Sequence, residues 1–188
     1  MKYITFSLIT LGILLIFSCG QAEEQEVTAT EPIKEVTSQE KNTNDKNQMH
    51  FNISFQLEKV NNEHYNLIAA IDLEGGCFII SPYSPDSILL PFNLSITENN
   101  SLTTDSTLIE FPIAKEEYDS IINGQVRYVR ENTTYTQKIK LNNQDDFEVA
   151  GKVTLLIEPS CVPYEIDFVI SNKDGELTVI KTKTTSLL

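Results

Sequence analysis

Three cysteines are the residues best suited to chemistry in this chain of 188 residues. Cys19 closes an apolar run near the start, whereas Cys77 and Cys161 stand 84 residues apart in the later, polar part. In an oxidising compartment such a pair favours a structural disulfide, and closing so long a loop stabilises a domain by about 4 kcal/mol. Two buried free thiols, or a reactive thiol that exchanges disulfides with Cys161 as the candidate, are the alternatives.

Other catalytic and binding signatures are not found in the sequence. His50 and His64 are the only histidines and have no cysteine at ligand spacing, so we expect two solvated side chains and no metal site. The sequence has no glycine-rich phosphate loop and no nucleophile elbow. We therefore expect no cofactor, and no catalytic residue other than the candidate thiol at Cys161.

The first 18 residues have the order of an export signal. The positive charge of Lys2 precedes an apolar run that ends at Ser18 and is short for a membrane span of about 20 residues. The segment Ile16-Phe17-Ser18-Cys19 resembles the lipobox of bacterial lipoproteins, although Phe17 is bulkier than usual. The resemblance implies cleavage before Cys19 and acylation of that residue, with palmitate among the chains, so that several chains anchor the protein to a membrane.

Residues 19–48 are predicted to form a disordered acidic tether, because they hold few large apolar side chains and cannot offset their ordering entropy. The acidic residues after Cys19, Gly20 to Glu26, resemble a surface-export signal of some Gram-negative bacteria. We expect a cell-envelope protein anchored by lipid to the outer membrane of such a bacterium. Periplasmic and surface-facing orientations both remain open.

The charge of the chain limits its partners. Lys and Arg number 14 against 27 Asp and Glu, which gives a formal charge of −13. A polyanion is repelled by nucleic-acid backbones, so we expect no nucleic-acid partner. The acidity is also consistent with simple solubility in a crowded exterior compartment.

From residue 49 to 188 the pattern predicts one all-β domain. Alternating apolar residues from Phe51 to Leu57 indicate a half-buried strand, and Tyr65–Ile71 indicates its hairpin partner. Further strands are predicted at Cys77–Ile80, Ile88–Ile96, Thr107–Ile113, Gln125–Arg130, Tyr135–Leu141, Phe147–Glu158, Tyr164–Ser171 and Leu177–Lys181. Only Ala114–Ile122 is predicted to form a helical turn or two, while Pro91 and Pro112 predict edge or bulged strands. Many short strands favour an antiparallel sandwich.

Three tripeptides resemble the acceptor of bacterial O-glycosylation. Each has an aspartate, a serine and then Ile or Thr, and the candidate sites are Ser87, Ser106 and Ser120. Such short patterns also arise by chance, so unmodified serines are the alternative.

The later segments resemble the N-terminal domain of the thiol:disulfide interchange protein DsbD. The hairpin from Phe51 to Gly76, followed by Cys77-Phe78-Ile79-Ile80-Ser81-Pro82, is similar to the opening of that domain, and Gly151 to Phe168 is similar to its closing strands. The likeness is loose over about 120 residues. It implies an immunoglobulin-like sandwich that passes electrons between thiol proteins of the periplasm, thioredoxin-like proteins among them.

The chain departs from that family at the two redox cysteines. Cys161 matches the second of two family cysteines, whereas Ile157 and Glu158 stand near the expected place of the first, and Cys77 replaces a family aromatic. A dithiol cycle between two turn cysteines therefore cannot run here. The sequence predicts a non-catalytic module that contacts an unknown envelope protein. The alternative is thiol exchange through Cys161, with Cys77 as a resolving thiol distant in sequence.

Overall fold

The computed structural model describes residues 50–86 and 89–188. The predicted signal segment, the lipidation site Cys19, the tether at 19–48, the candidate site Ser87 and the start of the strand predicted at Ile88 lie outside these residues. Within them the chain forms β1 (Phe51–Lys59), β2 (His64–Leu73), β3 (Ile79–Ile80), β4 (Asn93–Ile96), β5 (Leu102–Phe111), β6 (Glu116–Asp119), β7 (Gly124–Val129), β8 (Thr133–Leu141), β9 (Phe147–Ile157), β10 (Val162–Lys173) and β11 (Glu176–Ser186). None of the described residues is helical, so none forms a helix that could cross a bilayer.

Two four-stranded antiparallel sheets carry the architecture. Their strand orders are β1-β2-β8-β5 and β11-β10-β9-β4, and a three-stranded sheet of order β3-β7-β6 adjoins them. Apolar side chains from both large sheets form one buried cluster, which includes Leu67, Tyr135, Leu155 and Ile166. The chain is therefore an all-β, immunoglobulin-like antiparallel sandwich, and the predicted fold class is confirmed.

The first hairpin follows directly from its alternating sequence. β1 pairs with β2 from Phe51 opposite Leu73 to Lys59 opposite Tyr65. Phe51 and Ile53 are buried while the residues between them are exposed, which is the pattern of a strand with one face on the core. In the turn, the Asn61 side-chain oxygen accepts a hydrogen bond from the backbone amide of His64 at 2.9 Å.

One glycine fixes the contact between β9 and β10. Gly151 lies opposite Phe168, and the Phe168 ring covers the glycine so closely that an added Cβ would lie 2.1 Å from Cζ of that ring. The ring is 1% exposed and also packs on Phe55, with centroids 4.5 Å apart. A side chain at Gly151 would have to displace an aromatic ring inside the core.

Two local predictions are wrong. Ala114–Ile122 contains strand β6 and a turn instead of helical turns, because Glu116 to Asp119 pair with β7. Both prolines were expected inside strands, but Pro91 precedes the short strand β4 and Pro112 follows β5. Both of these strands are nevertheless at sheet edges, as a nearby proline predicts.

Candidate functional site

The tip of the β9–β10 hairpin presents Cys161. Val162 pairs with Ile157, so the four residues Glu158 to Cys161 form the connection between the strands. The Ser160 hydroxyl donates to the Ile157 carbonyl at 3.1 Å and braces this loop. Cys161 has a φ of 53°, an uncommon left-handed conformation for a residue with a side chain, and it is exposed.

A buried carboxylate controls the Cys161 thiol. Glu158 is 8% exposed, and its Oε2 accepts a hydrogen bond from the thiol at 3.1 Å. This hydrogen bond, then the negative charge of Glu158, and last partial burial raise the pKa of Cys161 above its usual value. Only the thiolate attacks disulfides, so the arrangement keeps Cys161 protonated and weakens it as a nucleophile.

The second cysteine is brought to the same end of the sandwich but is hidden. Phe78 and Glu158 exchange backbone hydrogen bonds of 3.1 and 2.9 Å, and Cys77 immediately precedes this bridge. Cys77 is 7% exposed and belongs to the apolar core, whereas Cys161 is exposed on the loop. Both thiols are free in the structure, and a bond between Cys77 and Cys161 stays a prediction.

Aromatic and charged side chains surround the bridge in a cluster that we call the Phe78 cluster: Phe78, Tyr128, Arg130, Glu117 and Asp119. The rings of Phe78 and Tyr128 meet edge to face with centroids 4.9 Å apart, and the Arg130 guanidinium lies 4.6 and 4.9 Å from their centroids. Arg130 binds Glu117 at 2.5 Å. The Tyr128 hydroxyl donates to Asp119 at 2.7 Å, and burial followed by this bond raises the pKa of Tyr128 to about 12.

Sequence reasoning missed the Phe78 cluster although a signal was present. The only arginines of the chain, Arg127 and Arg130, lie three residues apart, and two adjacent glutamates precede them at positions 116 and 117. The β6–β7 hairpin places these opposite charges together, since Arg127 also binds Glu116 at 3.3 Å. The incorrect helical prediction for that segment hid this pairing.

The remaining candidates fall elsewhere. The ring Nδ1 of His64 lies 3.0 Å from Asn61 Oδ1 in the first hairpin, and His50 is exposed just before β1. Ser106 is exposed at the register shift of β5, and Ser120 is exposed in the turn after β6. Each preceding aspartate accepts a backbone hydrogen bond from the residue two positions on, at 3.2 and 2.7 Å. The first tripeptide therefore belongs to the irregular part of β5, and the second to the turn after β6.

The comparisons with known proteins yield a structural similarity only. No family model and no curated protein matches the chain. Among solved structures, the chain is similar to the N-terminal domain of Neisseria meningitidis DsbD in its reduced form. The superposition has a TM-score of 0.42 at 10% identity and covers 70% of this chain and 90% of that one. A likeness of this size transfers no residue role from that protein.

Proposed function

We propose that this protein is a lipid-anchored component of a bacterial cell envelope whose sandwich domain binds another protein and does not catalyse thiol exchange. The observation that supports the absence of thiol exchange is the contact of Cys161 with Glu158, at 3.1 Å. A thiol exchanger needs a thiolate and a resolving thiol, and here the carboxylate opposes the thiolate while Cys77 is buried. These contacts disfavour redox chemistry, and we propose protein binding in its place.

The anchor is supported by the sequence around Cys19. The order of charge, apolar run, small residue and cysteine matches what lipoprotein processing requires, and acyl chains would hold so acidic a protein at a membrane without help from charge. We expect Cys19→Ser to abolish incorporation of a radiolabelled acyl chain and to leave the apolar segment before position 19 uncleaved. Retention of the label by Cys19→Ser, or loss of the label in the matched control Cys161→Ser, would contradict the anchor.

Protein binding is tested with the full chain in cells. A photoreactive amino acid is placed at exposed positions such as Phe111, Tyr118 and Ile180, and adducts are identified by mass spectrometry. We expect adducts with another envelope protein from at least one of these positions. Absence of adducts from all of them, in cells where the protein is anchored and folded, would contradict the proposal.

A second candidate function is thiol exchange, and one observation favours it. The Phe78–Glu158 bridge brings Cys77 and Cys161 to the same end of the domain despite their separation in sequence. In that case the Cys161 thiolate attacks a disulfide of the partner and releases one partner thiolate. Cys77 would then attack the Cys161 sulfur, free the second partner thiol, and leave a Cys77–Cys161 bond. This route needs deprotonation of both thiols and exposure of Cys77.

A further inference from the structure

Strand β5 ends its sheet in the order β1-β2-β8-β5, so among the described strands it pairs on one side only. After a register shift between Thr104 and Leu108, its residues Leu108 to Phe111 run regularly along β8. The opposite edge of such a strand presents backbone N–H and C=O groups outward. A free edge of this kind is a template for a strand from another chain.

The side chains of this edge are reversed relative to an ordinary half-buried strand. Ile109, Phe111 and Ile113 are 46%, 72% and 68% exposed, and we call these three residues the β5 strip. Glu110, which lies between two of them, is 3% exposed. A strand that served only the fold would place the apolar side chains inside and the carboxylate outside.

The buried carboxylate holds the strip in this orientation. Glu110 Oε1 accepts a hydrogen bond from the backbone amide of Ala114 at 2.9 Å, which fixes the chain where it leaves β5. Burial, and then the negative charge of Glu110, raise the pKa of the buried Tyr135 hydroxyl. Burying a carboxylate while exposing a phenylalanine is unfavourable for an isolated domain, which points to a use for the exposed surface.

The long edge strand of the second sheet, β11, is protected, and the β5 edge is not. β11 carries Lys181 and Lys183, and lysines on an edge discourage pairing with other chains. Lys181 also donates to the Ile53 carbonyl of β1 at 3.1 Å, which ties that side of the sandwich together. β5 has no lysine or arginine between Leu102 and Phe111.

Charge identifies the kind of partner. From residue 50 onward the chain has ten Lys and Arg against twenty Asp and Glu, a formal charge of −10, so two copies repel each other. Asp105 is exposed at one end of the strip, and exposed Glu131 helps to line a hollow of about 240 Å³ beside Ile113. Lys115 and Arg130 also line the hollow, but Arg130 is already bound to Glu117. The complement of this edge is a cationic segment.

We propose that the β5 edge, from Leu108 to Phe111, together with Ile113 just beyond it, docks an extended segment of a partner protein that adds a strand to the sheet. The partner segment carries apolar side chains at alternate positions, which cover the β5 strip, and lysines or arginines between them. Main-chain hydrogen bonds supply affinity, and the strip together with the hollow supplies selectivity. This inference rests on the proposed function, because it names the surface and the chemistry of the partner.

The test uses the full chain in detergent micelles and designed peptides of about nine residues, a typical strand length. One peptide alternates lysine with valine and isoleucine, a second replaces every lysine by glutamate, and a third is the lysine peptide with a central proline. Fluorescence anisotropy should detect binding of the first peptide only. Equal binding of the first two, or of the first and third, would overturn the proposed cationic strand.

Matched variants locate the binding surface. Phe111→Lys and, separately, Ile113→Lys place a protective charge on the β5 strip and should weaken binding of the lysine peptide by about tenfold or more. Ile180→Lys makes the same change at a residue of β11 that is 61% exposed, and it should leave binding unchanged. Thermal melting identifies any variant that fails to fold. Unchanged binding in both folded strip variants would overturn the proposal.

Photocrosslinking in cells separates this inference from the proposed function. Adducts of position 111 with a second protein that the lysine peptide displaces support the inference. Adducts between two copies of this chain would overturn the choice of partner. Adducts that form only from position 180 or 118 would overturn the docking edge while leaving protein binding intact, and no adduct from any position would overturn both.

Discussion

Because Gly151 lies directly under the Phe168 ring, we predict that Gly151→Ala destabilises the domain whose β9–β10 hairpin presents Cys161. In Gly151→Ala the new Cβ would meet three ring atoms of Phe168 at 2.1, 2.2 and 2.7 Å. Contacts this short force the ring to move, and the ring is 1% exposed and already packed on Phe55. Overpacking of a core by one carbon costs about 1–3 kcal/mol, which lowers the melting temperature of a domain this size by about 3–10 °C.

The assay is thermal or urea unfolding of the full chain followed by circular dichroism. Ala150→Ser adds one atom to the neighbouring exposed residue and should change stability by less than about 0.5 kcal/mol. Phe168→Leu should partly relieve Gly151→Ala, so that the double variant is more stable than the sum of the single losses predicts. An unchanged melting temperature for Gly151→Ala, or strictly additive losses, would contradict a tight contact between residue 151 and the Phe168 ring.

Two further predictions concern the titrating groups. Glu158→Gln removes the charge that helps to hold Cys161 protonated, so the pKa of Cys161 should fall and iodoacetamide should alkylate this thiol faster at mildly alkaline pH. The control Glu176→Gln, at the start of β11 and the opposite end of the β10–β11 pair, should have no effect. Equal alkylation rates in Glu158→Gln and the unmodified protein would contradict the role of Glu158. Asp119→Asn weakens the hydrogen bond from Tyr128, so the pKa of Tyr128 should drop from about 12. It should stay above about 10, because burial is the larger cause of the shift. Ultraviolet titration against a Tyr128→Phe reference measures this pKa, and an unchanged value would contradict the contact.

The strands that sequence patterns predicted best are those with one face on the core. Alternation from Phe51 to Leu57 and the turn at Asn61 define the first hairpin, since local sequence decides both the buried face and the turn. The bounds of β9 and β10 were also close to the prediction, because long apolar alternation surrounds a short polar loop.

The misplaced parts depend on contacts between distant residues. The Ala114–Ile122 segment is short and charged, and it becomes a strand only because Arg127 and its neighbours in β7 pair with it. Glu110 has the alternation of a solvent-facing residue, yet the fold turns it inward toward Ala114 and Tyr135. Tertiary pairing overrode the local preference in both cases.

Part of the candidate site could be read from the sequence. The sequence identified Cys161 as the candidate reactive thiol. The pKa of that thiol, however, depends on the loop conformation that places it against the Glu158 carboxylate. The proximity of Cys77 depends on the Phe78–Glu158 bridge, which spans 80 residues of sequence and leaves no local pattern. The segment that contains the β5 strip was likewise predicted as an ordinary strand, because alternation does not tell which of the two faces of a strand is exposed to solvent.

The most direct test of the central claim is a thiol measurement on the full chain in its native, membrane-anchored form. We predict that Cys161 alone, of these two thiols, reacts with a disulfide reagent in the folded protein, more slowly than free cysteine, and that Cys77 reacts only after denaturation. We also expect no catalysed reduction of insulin in the presence of a reductant. A Cys77–Cys161 disulfide that forms on oxidation, is reduced by thioredoxin and supports repeated turnover would contradict the claim that this domain binds and does not exchange.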